Sequence, residues 1–465
     1  MKKVWLCVMM ALAINVQAAP LSIDSDSQKS LTLTLYNQDL GLIRDVRQVP
    51  RINKGQTLYI KGISHQLMSE TLQIENAGQI IEQNLNRNLI STEALLQAHI
   101  GRSLTVARLN PATGQESRFE ATLLSKTGNQ VVIQRENQIE TIPADNGNWR
   151  FIFPSIPQGM LSKPSLEVRS SGTKAASDAV LTYLSHGLSW QMDYAIMLDK
   201  SGKQLSLNGL ATLTNRSGVD YPDSKILLMA GQVNQLTAAP LHKQRAVMMA
   251  MSDAAVAESG QPQSFQDYQL YKLPRSTSLL NDQTKQVSLI SADGVSSDKE
   301  YLYSFPVYAG PDRAMYEDKP NILLKFQNQQ QDGLGFPLPA GNARVFSPDD
   351  DGNNHFIGSA PLRHSTLGQT ISLPIGKAFD LSIKRHQSEF KKSYDSHLVG
   401  QTLTLRNNKT QPVTIKVNVD FNQPWKIEES SHPTLQINAS RAQWQISIPA
   451  NDEINLDFQV KLSKP

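Results

Sequence analysis

Apolar and polar residues alternate with period two along much of this chain. Leu31, Leu33 and Leu35 alternate with Thr32 and Thr34, and Leu58 and Ile60 repeat the pattern after Lys54-Gly55. The longest instance runs through Leu188, Trp190, Met192, Tyr194, Ile196 and Leu198, with mostly polar residues between them. A strand that buries one face shows this alternation, because successive side chains point to opposite sides of the sheet. Lys200-Ser-Gly-Lys203 then supplies a turn, and Leu205 and Leu207 resume the phase. Gly and Asn recur at strand ends, where positive φ is tolerated. Helical windows are few. The pattern predicts a mainly β chain of several antiparallel β-sandwich domains.

Punctuation divides the chain further. Residues 19–178 read as an N-terminal β domain. Within it Ser91-Thr92-Glu93-Ala94 opens a short helix, with Ser91 or Thr92 as its cap. Short strands follow at 103–109, 117–125, 130–135 and 138–142, separated by turns such as Asn110-Pro-Ala-Thr-Gly114. That run predicts an SH3-like small barrel inserted at about 89–143. Pro154, Pro157, Gly159 and Pro164 stiffen the connection that leads to a linker at 172–177. A central β domain is expected over 179–385. Its alternation is interrupted at about 238–264 by Ala, Met, Gln and Ser, a composition that predicts a mobile insertion. Strands at 402–406, 413–421, 425–428, 443–449 and 454–462 predict an immunoglobulin-like sandwich over 386–465.

The first residues change the picture of where the chain works. Lys2 and Lys3 precede the apolar run Val4–Ile14, which is too short to span a bilayer, and Val16-Gln17-Ala18 is an A-x-A-like cleavage site. Residues 1–18 are therefore expected to be a bacterial signal peptide, cut between Ala18 and Ala19, with the product periplasmic or secreted. Cys7 lies inside the apolar run, away from any lipoprotein cleavage point, and it is the one cysteine of the chain. The mature chain thus has no disulfide, thiolate metal site or cysteine nucleophile, and its cores must stabilise it. No later apolar run is long enough to cross a membrane. Lys2 and Lys3 also account for two of the three net positive charges. The mature chain is nearly neutral, which argues against nucleic acid as a partner. Asn215-Arg-Ser, Asn408-Lys-Thr and Asn438-Ala-Ser match the glycosylation sequon, but in a bacterial periplasm they read as strand and turn residues.

Four blocks carry a family resemblance. They are Leu188-Ser-Trp190 with Tyr194; Leu207-Asn-Gly209, Asn215-x-Ser217-Gly218 and Ala230-Gly231-x-Val233-Asn234; Tyr271, Leu273, Pro274, Leu279 and Lys285; and Pro337-Leu-Pro-Ala-Gly341, Arg344-Val345-Phe346, Phe356-Ile357-Gly358 and Phe379-Asp380. In this order, over about 180–465, they resemble the domain of unknown function family 4139, which also forms the C-terminal part of mucoidy-inhibitor-A-like proteins. The portion before 178 lacks the long coiled-coil-like helical segment of those proteins. The resemblance implies a β-rich exported protein and assigns no active site.

Candidate chemistry is sparse. Asp349, Asp351 and Asn353, within Asp349-Asp-Asp-Gly-Asn-Asn354, are candidate calcium ligands, since calcium favours several oxygens on a tight turn. An EF-hand starting at Asp349 would need a Glu at 360, which is Ala360, and a plain hairpin tip accounts for the same residues. His242 with Met248, Met249 and Met251 offers soft ligands for Cu(I), and equally a flexible apolar patch. No G-x-S-x-G, H-E-x-x-H, P-loop or dinucleotide fingerprint occurs, and His186 beside Gly187 fits the start of a strand. Trp190, Trp425 and Trp444 would stack on glycans if exposed, but Trp190 falls in the apolar phase of its strand and is expected in a core. No catalytic residue and no cofactor emerge. The sequence therefore favours a non-enzymatic protein that binds an envelope protein or glycan through loops or strand addition. A hydrolase of envelope polymers or peptides, with a site at a domain interface, is the alternative.

Overall fold

The computed structural model describes residues 21–145, 147–157, 159–231, 233–234, 263–265 and 268–463. The signal peptide with Ala18 and Ala19, and His242 with Met248, Met249 and Met251, lie outside the described residues, as does nearly all of 238–264. Strand accounts for 63% of the chain and helix for 4%, so the fold is mainly β. No helix among the described residues is long and apolar enough to cross a membrane. The chain divides into two compact units.

One unit takes in Met1–Ser189, Thr214–Leu227 and Arg275–Gln283. It contains three sheets. A four-stranded sheet runs in the order Leu21–Ile23, Thr57–Lys61, Ser165–Ser170, Ile80–Asn86. A second places Tyr221–Ala230, Gln28–Tyr36, Gly41–Val49, Ser177–Ser185 and Gln73–Glu75 side by side. Leu31, Leu33 and Leu35 are buried there, as their alternation requires. Asp45 and Arg47 occupy the same buried phase of Gly41–Val49 as Ile43 and Val49.

The third sheet is small and runs Gln138–Pro143, Gln130–Arg135, Glu116–Thr127, Ser103–Leu109, Trp149–Ile152. The last strand returns beside the first of the series, so both end strands are paired on one side only. The helix Thr92–Ala98 precedes it. Its cap is Ser91, whose hydroxyl accepts the Ala94 amide at 3.1 Å. Leu96 from that helix joins Leu104, Val106, Ala121, Leu123, Val131, Ile133 and Ile142 in a separate core.

The other unit takes in Trp190–Leu213, Leu228–Pro274 and Thr284–Pro465. Its main sheet runs Asn354–Leu362, Gly341–Pro348, Leu188–Leu198, Gln204–Asn215, Gln283–Val307, Val413–Phe421, Arg441–Ile448, Thr434–Asn438. The pattern predicted antiparallel sheets; two of these pairings are parallel, Met192 opposite Gly341 and Tyr301 opposite Ile415. Parallel neighbours need a long connection, which the intervening strands supply. Gln283–Val307, 25 residues long, extends from the Gln204–Asn215 side of this sheet to the Val413–Phe421 side. Its end packs over a second sheet, Met315–Asp318, Leu381–Lys392, Ser396–Asn407, Asp452–Ser463, Trp425–Ser430. The core between the two holds Phe305, Val417, Leu403, Trp444 and Phe458 among others.

Candidate functional site

Exposure decides whether a tryptophan can stack on a ligand. Trp190 is 1% exposed and donates its indole N–H to the Met229 carbonyl at 3.0 Å. Trp444 is fully buried, stacks on Phe458 at 4.6 Å and donates to Ser430 Oγ at 3.0 Å. Trp425 is half-buried, with one face stacked on Phe421 at 4.6 Å and its N–H on the Ala439 carbonyl. Trp190 and Trp444 serve cores. Trp425 has one face engaged.

Asp349, Asp351 and Asn353 sit at the tip of the hairpin formed by Gly341–Pro348 and Asn354–Leu362. Asp349 binds the turn itself. Its Oδ1 accepts the amides of Asp351 at 3.0 Å and Asn353 at 2.8 Å, and its Oδ2 meets His355 Nε2 at 2.8 Å. The hydrogen bond from His355 is the largest cause holding the Asp349 carboxyl down to about 2. Asp349 and Asn353 are thus brought together by the turn's own hydrogen bonds. His186 Nδ1 lies 2.9 Å from the Asp39 carbonyl on an exposed loop, ahead of Gly187 at φ +82°.

Of the sequon asparagines, Asn215 has a clear internal task. It is fully buried. Its Nδ2 donates to the carbonyls of Val219 and Leu279, and its Oδ1 accepts the Ser217 amide and hydroxyl. Around it lies a sealed network. Ser64 and Ser185 share a 2.6 Å hydroxyl contact, and Ser64 also donates to the Ser217 carbonyl. The buried Tyr221 hydroxyl lies beside Ser64 and Ser217 but outside hydrogen-bond geometry, and burial raises its pKa. Burial likewise lowers the pKa of His65, whose ring covers Gly218. Ser64, Ser185 and Ser217 are buried with Tyr221, while His65 is half-buried beside them.

In the other unit a groove of about 430 Å³ is lined by Ser297, Asp298, Lys325, Gln329, Asp332 and Thr370. Glu300, near Lys325, accepts Lys325 at 2.9 Å and Lys416 at 2.5 Å. Burial pushes its carboxyl up, and the two lysine hydrogen bonds outweigh that and hold it below its ordinary value. The charge is neutralised in place, which leaves it little to offer a ligand.

The open end of the small sheet differs. Leu104 and Val106 point into its core, and Arg108 is next in the same phase. Val131 and Ile133 are likewise followed by Arg135. Arg108 stands directly opposite Trp149, and its guanidinium lies over that ring at 5.4 Å. Arg135 lies over Phe119 at 4.5 Å. Phe119 and Trp149 meet edge to face at 6.5 Å. The result is a rank across the end of the sheet, in strand order Arg135, Phe119, Arg108, Trp149, with half-buried rings and exposed cations. On the opposite face Arg118 and Arg150 each reach Glu116 at 2.7 Å. No ion pair among the described residues neutralises Arg108 or Arg135. Sequence reasoning passed over these four residues, although an arginine in the third apolar position of two strands, which flank Glu116–Thr127 on either side, was a visible signal.

A search of curated proteins returned no match. The family described as a domain of unknown function, DUF4139, matches residues 179–465, the region that holds the Trp190 strand and the C-terminal sandwich but not the arginine–aromatic rank. With well over half its length so matched, the chain belongs to the DUF4139 family.

Proposed function

We propose that this protein is an exported, non-enzymatic binding or scaffold protein of the bacterial envelope. The observation that carries the reading is the arginine–aromatic rank at the open end of the small sheet. Stacked guanidiniums with free N–H edges recognise; they do not supply a nucleophile or a general base at neutral pH. The hydroxyls of Ser64, Ser185 and Ser217 are spent inside the first unit. Export rests on Lys2, Lys3, the Val4–Ile14 run and the Ala18–Ala19 junction. The protein recovered from cells is expected to begin at Ala19 and to show no turnover against panels of ester, peptide and glycoside substrates. Cross-linking in the native envelope is expected to trap a partner that is lost when Arg108 and Arg135 are both replaced by Glu. Turnover abolished by a single substitution would overturn the binding reading.

A further inference from the structure

We infer that the open end of the small sheet binds an extended acidic peptide segment, added as a strand along Trp149–Ile152. The inference rests on the binding reading above and names its ligand.

Charge sets the ligand's sign. Arg108 and Arg135 each place the guanidinium over a ring, 5.4 and 4.5 Å from its centroid, and both are exposed, so each can present its N–H fork to a ligand. That fork matches a carboxylate in bidentate geometry. On the other face of the same strands, Glu116 already pairs with Arg118 and Arg150 through one oxygen each. That face has a carboxylate from within the chain, and the rank is left for one from elsewhere.

Backbone geometry favours a peptide over other polyanions. Trp149–Ile152 pairs with Ser103–Leu109 on one side, Trp149 opposite Arg108 and Phe151 opposite Val106. Its other side ends the sheet, so its outward amides and carbonyls are positioned to accept a further strand. Side chains two apart on an added strand repeat every ~6.6 Å on one face. One such face lies beside Trp149. Arg108 is drawn over Trp149, toward the open edge rather than away from it, which shortens the reach to an acidic residue on the added strand. Arg135 extends the positive field across the rest of the opening. A uronic-acid glycan or a polyphosphate would meet the same charges but has no use for the edge.

The test is fluorescence anisotropy of a labelled peptide alternating Glu and Thr, added to the full-length chain at low and at physiological salt. Binding is expected to weaken with salt and to fall roughly tenfold or more in R108E/R135E, the loss of two charge-assisted contacts. R118E, on the face that pairs with Glu116, is expected to stay within about twofold of the parent. Far-UV circular dichroism checks that each variant is folded; R108Q/R135Q supplies a second, milder pair with the same direction of change. An alternating N-methylated version of the peptide, which cannot complete a ladder, is expected to bind more weakly. The inference is overturned by no binding of the parent peptide, by equal binding of R108E/R135E, or by equal binding of the N-methylated peptide. Polygalacturonate or inorganic polyphosphate competing as tightly as the peptide overturns it too, in favour of a general polyanion site. If the peptide fails while the envelope cross-link persists, the ligand assignment falls and the binding reading stands.

Discussion

Replacing Asn215 by Ala should destabilise the first unit by about 3 kcal/mol. Asn215 is fully buried and ends the strand Gln204–Asn215. Its side chain satisfies the Val219 carbonyl at 2.9 Å, the Leu279 carbonyl at 3.0 Å and the Ser217 amide at 3.0 Å. Truncation strips a partner from all three backbone groups. A buried polar group left without a partner costs about 1–3 kcal/mol, and partial relaxation or an entering water recovers some of it. Asn215→Asp keeps the acceptor but turns a carboxylate oxygen toward two carbonyls, so it should cost more than Ala despite its shape. Asn407 provides an independent check in the other unit. It accepts the Lys409 amide at 2.9 Å and donates to the carbonyls of Gln411, Ile448 and Pro449, so Asn407→Ala should cost a similar amount. Urea unfolding followed by circular dichroism gives the change. Hydrogen exchange should localise it to residues 214–221 and 277–281 for Asn215. A loss below about 0.5 kcal/mol for Asn215→Ala, or an Asp variant as stable as the parent, would refute the clamp.

Other parts of the fold give equally direct tests. Arg47 is fully buried, pairs with Asp45 at 2.7 Å and donates to the carbonyls of Lys61 and Gly62; Arg47→Met should cost about 3–5 kcal/mol in urea unfolding, because it leaves the Asp45 charge buried with Gln28 as its remaining side-chain partner. A Cβ on Gly341 would lie 2.2 Å from the Met192 carbonyl oxygen across a parallel pairing, so Gly341→Ala should lower stability by about 1–3 kcal/mol, whereas Gly352→Ala, with open space around it but φ +87°, tests backbone strain alone. The Asp349 carboxyl is held down to about 2, below its ordinary value, so whatever it contributes is present above pH ~4 and is lost as pH falls through about 2. Carbon-13 NMR of that carboxyl should show the low midpoint, and His355→Ala should move it back toward the ordinary range; an unchanged midpoint would refute the His355 hydrogen bond as the cause.

Alternation made the strands legible but not their partners. The period-two run from Leu188 to Leu198 corresponds to a strand with those bounds, and all six residues in its apolar phase are buried. Ser91 was legible as a cap because its partner, the Ala94 amide, is three residues away. Asn215 was not legible as a clamp, since one of its carbonyl partners comes from Leu279 and the local sequence reads as a sequon. The same limit applies to the parallel pairings and to Glu300, whose lysines are Lys325 and Lys416. Local rules report what a residue prefers; they do not report which distant segment supplies its partner.

The positions where an arginine occupies the buried phase of a strand carry the most functional information. Among the described residues four strands show it, at Arg47, Arg108, Arg135 and Arg385. A guanidinium in that phase must be paired, sheltered or brought to water, because burying an unpaired charge is costly. Arg47 is paired, with Asp45 and two carbonyls. Arg385 is sheltered: Phe305 and Tyr316 hold it at 4.5 and 4.1 Å, Gln401 accepts one N–H, and 8% of it is exposed. Both are held within the fold, although Arg385 Nε is buried without a hydrogen-bond partner, and their loss should register as stability. Arg108 and Arg135 reach water at the end of a sheet, stacked but unneutralised. A leucine at either position would have continued the core without a charge to place. Folding gains only about 0.5–1 kcal/mol from each such contact at an exposed site, so replacing either cation should register weakly in stability and, on the binding proposal, strongly in affinity.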